Sequence, residues 1–200
     1  MTDHYYSSRP EKRSSRRELR VSAAGVEQTY QVDHGVFSKG GLDEGSRLLI
    51  ESFEAPEVEG AFLDAGCGWG PIGISIAQQY PERTVHMIDV NERSVMLASE
   101  NTILNHCPNT EVRQQDLLEG EAPASYAAVM TNPPIRAGKQ VVFRLYEQAW
   151  DVLKPGGTLT VVIQKKQGAP STKKKLEELG FSVTVPAKEK GYFIFRAEKH

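Results

Sequence analysis

The sequence has little that would cross-link a chain or hold it in a membrane. Cys67 and Cys107 are its only cysteines, too few for a disulfide framework and without the spacing of a metal site. The five histidines show no ligand spacing either, so no metal is expected. No apolar run approaches the ~20 residues that a membrane helix needs, and none is expected to meet a membrane. The opening MTDHYYSSRPEKRSSRRELR lacks the apolar core of a secretory signal. A reducing, cytoplasmic setting is the expectation. An excess of one charge is also missing: 24 Lys and Arg stand against 26 Asp and Glu, which argues against a general nucleic-acid coat.

What is present suffices for one compact unit. Two hundred residues with 39% hydrophobic content can bury a core without disulfides or metal. The charge is unevenly spread. Residues 1–20 carry Arg9, Lys12, Arg13, Arg16, Arg17 and Arg20 against three acids. A second basic cluster runs from Lys165 and Lys166 to Lys173, Lys174 and Lys175. Both are candidates for phosphate contacts, or else solvated surface.

Apolar residues alternate through 19–32 around Ala24-Gly25, which predicts a hairpin. GVFSKGGLDEGS (35–46) reads as a glycine-rich loop and RLLIESF (47–53) as a helix. From residue 61 strands and helices alternate: AFLDA, then a helix opened by Pro71, then TVHMIDV. A helix over 92–105 follows, with Val95, Ala98, Thr102 and Ile103 on one side. TEVRQQD and YAAVMTN are strands, the second cut off by Pro133-Pro134. A helix stopped by Pro155-Gly156-Gly157, the strand TLTVVI, a helix to Gly180 and the strands FSVTV and YFIFRA complete the chain. This pattern predicts a doubly wound α/β fold, Rossmann-like, with a mostly parallel seven-stranded sheet and an antiparallel edge. Residues 1–60 form a basic arm, a hairpin and a substrate-side loop and helix; residues 61–200 form the core.

LDAGCGWGPIG (63–73) raises the functional question. A glycine-rich turn between a parallel strand and the next helix lets a nucleotide-like ligand approach the backbone. GWGPIG matches the dinucleotide fingerprint, with Asp89 at the distance of its ribose-binding acid. The same residues also fit an acid, Asp64, followed by Gly66, Gly68 and Gly70 around the amino-acid end of S-adenosylmethionine. Both ligands carry an adenosine ribose, so the loop alone leaves them open. QQDLL places Asp116 after the third strand of this series, where a carboxylate can accept from an adenine amine or cap a helix. TNPPI (131–135) sits at the end of the fourth, the carboxyl edge where open α/β sheets bind ligands.

With these residues the sequence resembles the class I S-adenosylmethionine-dependent methyltransferases, and Asn132-Pro133-Pro134 resembles the branch that acts on exocyclic or amide nitrogen. HYYS near the start, GVFSKGGLDEGSRLL and NPPI resemble the small-subunit ribosomal RNA guanine-N2 methyltransferases, in their stand-alone single-domain form. The resemblance implies S-adenosylmethionine as cofactor and ribosomal RNA or a ribosomal subunit as partner. It implies that Asp64 and the loop Gly66, Cys67, Gly68 and Gly70 hold the methionine portion, Asp89 the ribose and Asp116 the adenine. Asn132, beside the cofactor, and the Pro133 carbonyl, fixed by Pro134, would accept from the two N–H bonds of the target amine. Ile135 replaces the aromatic that many relatives place there, and Phe37, with Ser38 and Lys39, is expected to fold over the base instead. Arg136 and Lys139 are candidates for phosphate contacts. The competing expectations are a protein glutamine or DNA adenine methyltransferase, a non-catalytic RNA-binding relative, and a dehydrogenase.

Overall fold

The computed structural model describes residues 8, 13–36, 38 and 40–200. Two antiparallel strands come first, β1 (Arg17–Ala23) and β2 (Val26–Val32). Ala24 and Gly25 turn between them with φ of 49° and 77°, the left-handed pair whose twist suits a tight hairpin. Helix α1 (Glu44–Ser52) follows, capped by Asp43, whose side chain accepts from the Ser46 N–H. The alternating region comprises β3 (Ala61–Ala65), α2 (Pro71–Gln79), β4 (Val85–Asp89), α3 (Glu92–Leu104) and β5 (Thr110–Gln114). It continues with β6 (Tyr126–Thr131), α4 (Lys139–Val152), β7 (Leu153–Gln164), α5 (Ala169–Glu178), β8 (Ser182–Glu189) and β9 (Tyr192–Glu198).

Seven strands form one sheet in the order β5-β4-β3-β6-β7-β9-β8. The strands from β5 across to β7 are parallel, and the β8–β9 hairpin supplies the antiparallel edge, with β9 inserted between β7 and β8. Strand alternation divides the core between the two faces. Phe62 and Val162 pack with residues of α1, α2 and α3; Leu63, Leu159, Val161 and Ile163 pack with those of α4 and α5. No helix among the described residues is long and apolar enough to cross a membrane.

Two local expectations are corrected. The strand expected at 158 is assigned from Leu153: Pro155-Gly156-Gly157 do not separate the helix from the strand but form a bulge inside it. The packed face of α3 is Ser94, Leu97, Ala98, Asn101 and Thr102, while Ile103 is 78% exposed. Polar contacts set that rotation. Asn101 accepts from the Gln31 N–H at 2.7 Å and donates to the Gln31 carbonyl at 3.0 Å and the Trp69 carbonyl at 2.7 Å. Asn105, one turn later, accepts from the Thr29 N–H at 3.1 Å and donates to the Thr29 carbonyl at 2.8 Å. The two amides thus pair with alternate residues of β2 as a neighbouring strand would, satisfying an edge that would otherwise be open.

Candidate active site

The order of the sheet decides where a ligand can lie. From β3 the chain moves outward through β4 and β5, then returns to place β6 on the other side of β3. Such a reversal opens a crevice at the carboxyl ends of the two central strands. The glycine loop leaves β3 and the Asn132 turn leaves β6 at this crevice, with Asp64 paired to Met130 in register. The Thr131 hydroxyl donates to the Ala65 carbonyl at 2.9 Å and ties the two exits together.

The glycines of the loop do different work. Gly66, Gly68 and Gly70 have φ of 77°, 56° and 101°, a region that L side chains rarely adopt. A Cβ on Gly66 or Gly68 would meet nothing within 4 Å, so these two face open space. Gly73 instead lies under Asp64: a Cβ there would stand 2.9 Å from the Asp64 carboxylate and 2.7 Å from the Met87 side chain. That close approach lets the Gly73 N–H donate to Asp64 Oδ2 at 2.8 Å. Cys67 is buried with its N–H, like that of Gly66, on the Ile88 carbonyl at 2.9 Å.

Two carboxylates face this loop. Asp64 is fully buried, and its Oδ1 has no hydrogen-bond partner among the described residues. Burial, with the Asp89 charge nearby, pushes its pKa up to about 7 despite the bond from Gly73. Asp89 accepts from the Gly68 N–H and the Asn91 N–H, each at 2.8 Å, one on each oxygen. Burial pushes it up to about 6 against those bonds. Each Asp89 oxygen retains acceptor capacity. An orphaned buried carboxylate oxygen, open space above two glycines and a second carboxylate beside them fit a ligand carrying an amino group and a ribose.

Asn132 is held from the other side of the crevice. Its Nδ2 donates to Asp43 Oδ2 at 3.3 Å and to the Ser46 hydroxyl at 3.1 Å. A carboxylate that also receives the Ser46 N–H can only accept, so the amide nitrogen must face it. Asn132 Oδ1 is left without a partner among the described residues. Pro134 has φ −76° and ψ 74°, an inverse γ-turn in which the Pro133 carbonyl accepts from the Ile135 N–H at 2.8 Å. That bond fixes the carbonyl's direction and occupies one of its two lone pairs.

Other expected residues are less concentrated. Asp116 is exposed, and its carboxylate pairs with Arg144 at 3.1 Å. Ser38 (φ 54°) donates its hydroxyl to the Gly41 carbonyl at 2.5 Å and accepts the Gly41 N–H on its own carbonyl. Phe37 and Lys39 lie outside the described residues, as does HYYS. Ile135 is half-buried; Arg136 and Lys139 are exposed, and the Lys139 ammonium lies 5.1 Å from the Phe143 ring centre. Arg16 of the first basic cluster pairs with Glu100, and Lys173, Lys174 and Lys175 pair with Glu177, Glu178 and Glu147. Sequence reasoning missed Asp43, Ser46 and Arg144. For Asp43 a signal existed, since an aspartate just before an apolar run marks a helix start.

Residues 27–196 match the methyltransferase small domain family. Over its whole length the chain is 50% identical to uncharacterized protein YbxB of Bacillus subtilis, and it covers all of that protein. It is 35% identical over 136 residues to ribosomal RNA small subunit methyltransferase C of Hahella chejuensis, covering 66% of this chain and 39% of that one. Among solved structures, the T. thermophilus 16S rRNA N2 G1207 methyltransferase in complex with AdoMet and guanosine superimposes with a TM-score of 0.79. It is 26% identical, and the match covers 96% of this chain and 52% of that one. The chain therefore spans about half or less of the length of these two methyltransferases.

Proposed function

The chain belongs to the methyltransferase small domain family of S-adenosylmethionine-dependent enzymes, and from that premise we propose that it methylates an exocyclic nucleobase amine, guanine N2 in ribosomal RNA. The observation that carries the reading is the amide of Asn132. Its nitrogen is committed to Asp43 and Ser46, which leaves Oδ1 as a fixed acceptor at the mouth of the crevice.

The cofactor, when bound, supplies an electrophilic methyl group on a sulfonium. Asp64 Oδ1 would take the amino group of its methionine portion, with Gly66, Cys67, Gly68 and Gly70 wrapping the chain. Asp89 would accept from the ribose hydroxyls. Asp116, steadied by Arg144, would accept from the adenine amine. Residues 1–60 would serve the acceptor side and residues 61–200 the donor side, in the cytoplasm.

An arylamine is a poor nucleophile because its lone pair is delocalised into the ring. Asn132 Oδ1 and the free lone pair of the Pro133 carbonyl would accept from its two N–H bonds. Those bonds turn the nitrogen lone pair away from the ring and toward the methyl. They also stabilise the positive charge that grows on nitrogen as the N–C bond forms and the C–S bond breaks. The proton leaves to water afterwards, and no strong base is needed. Alignment of donor and acceptor supplies much of the acceleration, up to ~7–11 kcal/mol for well-oriented reactants.

The test is methyl transfer from labelled S-adenosylmethionine to small- and large-subunit particles, free ribosomal RNA and total protein. The expected product is N2-methylguanosine in the digested RNA, absent with Asn132→Ala. Label in protein glutamine, or in DNA adenine when DNA is offered, would overturn the reading. Cofactor binding without transfer to any acceptor would favour a non-catalytic relative.

A further inference from the structure

Beside the Asn132 turn lies a cleft whose walls include Ile135 and Lys139 but none of the residues proposed above for the cofactor or the reacting amine. It has a volume of about 150 Å³ and lies between α4 and α5. Ile135, Val142 and Ile163 give it apolar walls; Phe143 adds a ring, and Gln167 and Ser171 add polar edges. None of its lining residues is acidic. Asn132 and Pro133 are absent from its walls, so it is not the position of the reacting amine. Ile135, three residues after Asn132, joins the two places.

The two turns that flank it carry cations. Two short 3₁₀ turns, Ile135–Ala137 after β6 and Lys165–Gln167 after β7, leave adjacent strands of the sheet. Each turn contributes one wall residue, Ile135 or Gln167, and cations next to it: Arg136 with Lys139 on one side, Lys165 and Lys166 on the other. All four cations are exposed, and none has an acidic partner among the described residues. This sets them apart from Lys173, Lys174 and Lys175, each of which is paired with a glutamate. A space of ~150 Å³ is of the size that holds a single aromatic ring. The cleft thus has room for a base, with unneutralised cations where a backbone would run.

We infer that this cleft binds the nucleobase adjacent to the methylated one in the same RNA strand, with Arg136, Lys139, Lys165 and Lys166 on the flanking phosphates. The inference rests on the nucleobase reading above. It makes the enzyme read a dinucleotide step of single-stranded RNA, and it gives the second basic cluster a divided use: Lys165 and Lys166 serve the ligand, the rest serve α5.

The experiment uses the RNA fragment that accepts label, resynthesised with an abasic residue immediately 5′ or 3′ of the target guanosine. One of the two substitutions is expected to raise KM about tenfold, within what stacking of one base contributes. Ser171→Phe fills the cleft and should raise KM for intact RNA while abolishing the response to the abasic residue. Gln167→Trp, on the exposed turn, repeats the test without touching a helix. The double variant Lys165→Gln/Lys166→Gln should flatten log KM against log salt by about 1.4, the single-strand value for two phosphates. Full sensitivity to the abasic residue in both cleft variants would overturn the inference, as would indifference of the wild type to abasic residues on both sides. If the wild type methylates no RNA guanine, the nucleobase reading itself falls and takes the subsite with it. Methylation with indifference to neighbours removes the subsite alone.

Discussion

Asp43 accepts a hydrogen bond from the Asn132 amide at 3.3 Å across 89 residues of sequence, while the same carboxylate caps helix α1. One oxygen thus starts a helix and fixes which way an amide points. The two duties separate by mutation. Asp43→Asn keeps a good cap, so stability should change by a few tenths of a kcal/mol. It removes the carboxylate that dictates the amide's orientation, and turnover should fall about tenfold. Asp43→Ala should lose both, with ~1 kcal/mol of stability. Denaturation midpoints and kcat measured together check this; equal stability losses in the two variants would refute it.

Removing the acceptor itself should cost far more. Asn132→Ala is expected to lower kcat by ~10²–10³, the usual range for one hydrogen bond aimed at developing charge. The S-adenosylmethionine Kd should stay within a factor of two, because in the proposed function Oδ1 serves the acceptor amine. Isothermal titration alongside single-turnover kinetics distinguishes these quantities.

Burial has lifted Asp64 to about 7 and Asp89 to about 6, so both hold protons over a range where an ordinary aspartate has lost them. The unliganded protein therefore gains protons on folding between pH ~4 and those values. Their contribution to stability is complete at low pH and is lost as pH rises through 6 and 7. In the proposed binding mode an ammonium meets Asp64 and ribose hydroxyls meet Asp89, contacts that favour the ionised forms and reverse the preference. Affinity should rise with pH through this window and level off above it, with proton release on binding. Titration calorimetry in buffers of different ionisation enthalpy reads both; affinity that falls with rising pH would contradict the assignment.

The glycine loop offers a paired test. Gly73→Ala drives a Cβ to within 2.9 Å of Asp64 and Met87, and should destabilise the fold by ~1–3 kcal/mol. Gly68→Ala meets open space but keeps a φ of 56°, costing ~1–2 kcal/mol. Its larger effect should be on cofactor affinity, because the new methyl group projects into the proposed binding space. Chemical denaturation and Kd together show which glycine serves the protein and which serves the ligand.

Asn101→Leu keeps the size of a side chain that satisfies Gln31 and Trp69 but removes every bond it makes. Three backbone groups lose their partner, and a loss of about 3 kcal/mol or more is expected at a buried position. Equilibrium urea unfolding measures it.

The order of strands and helices was legible from residue 61 onward because apolar runs and punctuation agree there. AFLDA is the strand found, and the Ala24-Gly25 turn is where the hairpin bends. The glycine loop, Asp89 and Asn132 could be picked out because their chemistry is local to strand ends. Three features were not legible. Ile103 looked like a core residue, but the rotation of α3 is set by two asparagines bonding to a distant hairpin. Pro155-Gly156-Gly157 looked like a terminator, yet the chain bulges there and continues its ladder. Asp43 could be read as a cap; its hold on Asn132 depends on how α1 sits against the end of β6, which no local pattern encodes.

Asn101 also joins the N-terminal hairpin to the glycine loop. One amide nitrogen donates to Gln31 in the N-terminal hairpin and to Trp69 inside the glycine loop. Any tightening of that loop around a ligand must then be felt in the hairpin, and linkage makes the effect reciprocal. Amide exchange in β2 should slow when S-adenosylmethionine binds, although β2 contributes none of the residues assigned to the cofactor. A ligand bound to the hairpin should in turn change cofactor affinity by the factor by which the cofactor changes that ligand's affinity, so a single side chain would let each half of the molecule sense the occupancy of the other.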